Sequence, residues 1–96
     1  MLIFKERLPE NTISFKYVEM PYDTVEEARN AVLHIGLQYE KPCMWFDAKE
    51  YDLPMKKYLV IAIGTGHYWS DILTRDMYIG TALLECDSLV LHYFLV

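Results

Sequence analysis

The chain has 96 residues, of which 53% are apolar and 15% aromatic, and it carries a formal charge of −5. A single domain of that length buries only roughly 60–65% of its unfolded surface, too little for a full core plus a large internal cavity. The acidic balance excludes a basic nucleic-acid footprint, two cysteines are too few for a disulfide scaffold, and no apolar run approaches the ~18 residues of a membrane span.

In chain order, residues 2–7 read as a short edge strand that Pro9-Glu-Asn11 ends as a turn. From Thr12 to Met20 the chain alternates, with Ile13, Phe15 and Tyr17 on one side and Ser14 and Lys16 on the other, which predicts a half-buried strand. Pro21 stops it by removing a backbone donor. The period then changes. Thr24 with Glu27 three residues on makes a capping-box pair at the start of a short helix over 23–30. Val25 and Ala28 give that helix only a thin apolar face, so it is expected on the surface, covering an edge or mouth of a sheet.

Period two returns from Ala31 to Tyr39, with Leu33, Ile35 and Leu37 on one side. Glu40-Lys-Pro42 reads as the turn, and Cys43 to Ala48 as the return strand of a hairpin. Large apolar groups on both sides of these two strands predict central positions. Lys49 to Lys57 is a polar loop. Tyr58-Leu-Val-Ile-Ala-Ile63 is apolar on both faces, as expected of a central or covered strand, and it stops at Gly64-Thr-Gly66. Residues 68–76 show no period and read as a long connection with one helical turn capped by Ser70 or Asp71. Met77 to Leu84 is a strand with Gly80 at a bulge or close approach. Glu85-Cys-Asp-Ser88 turns the chain, and Leu89 to Val96 closes it. The spacing predicts an all-β, mainly antiparallel fold: a small β-sandwich or rolled barrel of about six or seven strands with one short surface helix.

The segments His34-Ile-Gly-Leu-Gln38, Lys41-Pro-Cys-Met-Trp45, Ile63-Gly-Thr-Gly-His67, Tyr78-Ile-Gly-Thr81 and Leu89-Val-Leu-His-Tyr-Phe94, in that order, resemble a family of small proteins of unknown function encoded by tailed bacteriophages. The resemblance runs over roughly residues 17–96, starting at Glu19-Met-Pro21. Two departures stand out: the 23–30 segment is longer than in that family, and no proline follows His67. The resemblance implies a phage accessory protein acting in the bacterial cytoplasm, and it implies no activity and no cofactor.

Two stretches carry candidate chemistry. In Gly64-Thr65-Gly66-His67, successive glycines free the backbone for positive φ and can aim amides at an anion, with Thr65 and His67 adding polar side chains; a nucleotide, phosphate or carboxylate would suit. The lysine of a phosphate loop and the third glycine of a dinucleotide fingerprint are both missing. The competing reading is a tight turn that needs glycine, with His67 capping carbonyls. Downstream, Tyr68, Trp69 and Tyr78 are aromatic residues in or beside an irregular loop, suited to anchoring a partner or to filling the end of the core. His34, His67 and His92 lack metal-ligand spacing with Asp47 or Cys43, so no metal is expected. Neither cysteine, nor Ser70 beside Asp71, sits on a nucleophile motif, so no catalytic residue is expected. Both thiols are expected as small buried hydrophobes.

The apolar excess predicts a homo-oligomer or a partner interface. Charges by position 5 and no apolar core after them give no secretory leader, so a cytoplasmic protein is expected. The sequence reading is a non-enzymatic accessory protein, most simply a homodimer, that binds a host or phage protein and inhibits a host defence or metabolic factor. A nucleotide- or anion-binding module is the alternative, and a minor virion component the third reading. Nucleic acid and membrane are not expected partners.

Overall fold

The computed structural model describes residues 1–68, 71–86 and 88–96. Among these, seven strands form two sheets: β1 (Ile3–Arg7), β2 (Ser14–Met20), β3 (Val32–Gln38), β4 (Lys41–Asp47), β5 (Lys56–Gly64), β6 (Tyr78–Leu84) and β7 (Leu89–Leu95), with one helix, α1 (Val25–Asn30), and a 3₁₀ turn at Arg75–Met77. The first sheet has the order β1-β4-β3 and the second β2-β5-β7-β6. Every hydrogen-bonded neighbour pair is antiparallel. The Cα envelope measures 38 × 32 × 17 Å. Its thin dimension is what two sheets ~10 Å apart require, so the fold is a sandwich.

The core fills the space between the sheets. Met44 and Phe46 from β4 meet Val60 and Ala62 from β5 and Leu91, Tyr93 and Leu95 from β7. Three tyrosine hydroxyls escape burial without a partner by reaching backbone carbonyls: Tyr93 donates to Pro9 at 2.7 Å, Tyr22 to Asp47, and Tyr58 to Tyr22. The first ties the β1–β2 turn to the central strand β7, and the other two tie the segment before α1 to both sheets. Thr24 caps α1 by accepting from the Glu27 amide at 3.2 Å. Ala28 is the helix's only buried residue, so α1 is the surface element its thin apolar face predicts. Arg29 anchors it, donating to the Leu95 carbonyl at 2.7 Å.

β5 is central, as its two apolar faces require, but the hairpin after it does not fold over it. β7 pairs with β5 on one side and β6 on the other, so the hairpin widens the sheet. β5 and β6 therefore run parallel on either side of β7, and residues 65–77 must cross from the end of one to the start of the other. A glycine is required in β6. At Gly80 φ is +154°, and a Cβ there would lie 2.4 Å from Ile35 Cγ1, because the β3 and β6 edges meet at this bulge.

Several local expectations are corrected. β3 is an edge strand, and only Ile35 of its three alternating apolar residues is buried: a register shift between Val32 and His34 takes Leu33 out of the alternation, and Leu37 lies exposed beside the β3–β4 turn. Lys41 and Pro42 belong to β4, and the turn is Tyr39-Glu40, both at positive φ. Among the described residues the connection carries a helical turn at Arg75–Met77, later than Asp71; Ser70 lies outside the described residues. Cys43 is buried, but Cys86 is exposed, because it sits on the β6–β7 turn and not in a strand. On β2 the alternation is real but its apolar stripe points out. Val18 and Met20 enter the core while Phe15 and Tyr17 face solvent.

Candidate functional site

The outer face of the four-stranded sheet is set by register. One row across it reads Phe15, Ile61, Phe94, Tyr78; the next toward the β5 exit reads Ile63, His92, Thr81. Toward the other end, Tyr17 stands opposite Leu59, which exchanges backbone hydrogen bonds with Val96. β5 thus carries buried residues on both faces. Ile61 and Ile63 are 4% and 8% exposed, yet neither belongs to the cluster between the sheets.

Described residues of the crossover, Tyr68 and Leu73 among them, stand with Ile63 and His92 around a groove of about 280 Å³. Ile63, Leu73 and Phe94 give its apolar walls, and Gly64, Thr65, Gly66, His67, Tyr68 and His92 complete it. The turn at its head is hydrogen-bonded from the His67 amide to the Gly64 carbonyl at 3.1 Å. Positive φ occurs at its third position alone, Gly66 at +86°, which makes it a type II turn. Gly64 is needed for a different reason. Its amide donates to Thr12 Oγ1 at 2.7 Å, and a Cβ would press on that hydroxyl at 3.1 Å.

The histidines divide. His67 Nδ1 is 2.9 Å from Thr12 Oγ1. His92 is held at both ring nitrogens, Nε2 by Thr65 Oγ1 at 2.7 Å and Nδ1 by Thr81 Oγ1 at 3.0 Å. Tyr78 extends this chain by hydrogen bonding to Thr81. His34 lies apart on the other sheet, its ring 5.6 Å from that of Trp45. Two of the three histidines thus share the groove, and no cluster of three metal-ligand side chains occurs among the described residues.

Gly64, Thr65, Gly66 and His67 form the head of the groove. The amides of Thr65 and His67 are already spent on Val90 and Gly64 carbonyls, so the turn offers an anion little beyond the Gly66 amide. No Lys or Arg is among the described lining residues. Tyr68 stands on the rim, 72% exposed, and donates its hydroxyl to Asp71. That hydrogen bond to the carboxylate raises the phenol's pKa above its ordinary value. Tyr78 is on the sheet face, edge-on to Phe94 at 5.8 Å. Trp69 lies outside the described residues. At the far end of the crossover, Thr74 donates to Asp76 and holds its carboxyl below the usual range, and Arg29 stands 4.0 Å from the same carboxylate.

Residues 3–96 match a family described as a domain of unknown function, DUF7352. The chain belongs to the DUF7352 family. No curated protein and no solved structure matches it. In this DUF7352 chain two of the resembling segments, at 63–67 and 89–94, line the groove, and strand register brings a third, at 78–81, beside them, where Thr81 holds His92. Sequence reasoning missed Thr12, Leu73, Thr81 and the groove role of His92. No local motif marks them. Only the pairing of β7 between β5 and β6 places His92 opposite both Ile63 and Thr81.

Proposed function

We propose that this DUF7352 protein is a non-enzymatic bacteriophage accessory protein that binds a host protein in the bacterial cytoplasm and so blocks a host defence or metabolic factor. The groove supports this reading. It has apolar walls, an exposed tyrosine on its rim and no charged side chain among its described lining residues, which suits the anchor side chain of a protein partner. The histidine and threonine groups bond mainly to one another, so they shape the groove and leave little polar chemistry for a reaction. Affinity purification from infected cells tests the reading. One host protein should be recovered with the native chain and lost with Leu73→Glu, which puts a charge on an apolar wall. Recovery of tail or capsid proteins alone would favour a virion component.

A small-molecule site is the second reading, favoured by the convergence of Gly64 to Tyr68 on one groove. Spent amides and the lack of a Lys or Arg among the described lining residues argue for a neutral ligand over a nucleotide. Nucleotides should then give no thermal shift, and a shift abolished by His67→Ala would reverse that preference.

A further inference from the structure

We propose that two copies of this chain stack through the half of the outer face that the crossover leaves bare. The rows there are Phe15-Ile61-Phe94-Tyr78 and Tyr17-Leu59-Val96. Phe15, Tyr17 and Tyr78 are 62%, 59% and 45% exposed. A sheet apolar on both faces is the pattern of a sheet covered on both faces, and among the described residues of one chain the second cover stops at the groove.

Area, charge and edge chemistry select a second copy as the occupant. At about 200 Å² per aromatic side chain, the three exposed rings alone leave roughly 300 Å² open. With the half-buried Leu59, Phe94 and Val96, each copy offers on the order of 500 Å², so a pair buries about 1,000 Å² and reaches the lower limit of a specific interface. The chain carries −5. On these rows the charged pair is Glu19 opposite Lys57, at the end beyond Tyr17, so two acidic molecules can meet here without opposing like charges. A neutral patch has no sign with which to select a charged partner, whereas a two-fold contact needs only self-complementarity. Edge-to-edge pairing through β2 is the competing route, and the edge is guarded. Lys16 points inward from mid-strand, donating to the Arg7 carbonyl at 2.7 Å and lying 3.7 Å from Glu6. The inference does not depend on a host partner: Phe94 borders both surfaces, and the exposed rings it rests on, Phe15, Tyr17 and Tyr78, are not among the groove's lining residues.

Sedimentation of the full chain from about 5 to about 200 µM tests it, a range chosen for the weak association typical of interfaces at the low end of the size scale. The dimer fraction should rise with concentration. Phe15→Glu should raise the dissociation constant at least tenfold, and Tyr39→Glu on the β3–β4 turn should leave it unchanged. A monomer throughout, or a dimer indifferent to Phe15→Glu, would overturn the proposal. If Phe15→Glu loses its fold by circular dichroism, the native chain serves on its own. Its amide resonances at Phe15, Tyr17 and Val96 should move on dilution, and fixed positions would equally overturn the proposal.

Discussion

Tyr93 is the largest fully buried side chain among the described residues, and its hydroxyl reaches the Pro9 carbonyl at 2.7 Å. Tyr93→Phe keeps the ring and strands that carbonyl, which should cost about 1–2 kcal/mol in denaturant unfolding. Burial also raises the Tyr93 pKa above its ordinary 10.0. The unfolded chain therefore loses the proton first. The contribution is complete below pH 10 and is lost as pH rises beyond it. Native protein should lose stability above about pH 10, and Tyr93→Phe should flatten that limb of a stability–pH curve. Gly80 supplies the second residue-scale expectation. Its missing Cβ makes room for Ile35, so Gly80→Ala should destabilise by about 1–3 kcal/mol, and by less in an Ile35→Ala background, measured by the same titration. The need for glycine at 80 was legible in the sequence because it interrupts an apolar strand. That Ile35 is what it avoids was not, because the two edges meet only in three dimensions.

Among elements, the two hairpin turns place poorly suited residues in left-handed backbone. Tyr39 and Glu40 have φ of +51° and +64°, and Glu85 and Cys86 +51° and +55°. Left-handed backbone at paired positions favours Asn and Gly. Glu40→Gly should therefore stabilise the protein by about 0.5–1 kcal/mol, read as a higher melting temperature. This mismatch explains why the β3–β4 turn was misplaced: Lys41-Pro42 offered better turn chemistry than Tyr39-Glu40, and sheet register overrode it. β2 shows the other limit of pattern reading. Alternation identifies a strand and its two faces, but which face enters the core depends on what each face meets. Here Val18 and Met20 won over Phe15 and Tyr17, and the inner positions also hold Ser14 and Lys16. β5 was legible because both of its faces are apolar.

At the scale of the molecule, a thin two-layer sandwich leaves one sheet apolar on its outside, and the described residues of the crossover cover only part of it. The bare rows and the groove follow from one topological choice, placing β7 between β5 and β6. The Gly-Thr-Gly-His turn was visible in the sequence as a feature needing glycine. Its role as the head of a groove was not, because Leu73, His92 and Phe94 arrive from other elements. The proposed partner-binding role stands on that groove, and photo-crosslinking tests it most directly. A photoreactive phenylalanine placed at Tyr68, on the rim, and in a control at Tyr39, also solvent-facing but on the β3–β4 turn, would be activated in infected cells. One host protein crosslinked from position 68 and not from position 39 is the predicted result. Crosslinks from position 39 alone, or from position 68 only to virion proteins, would contradict it.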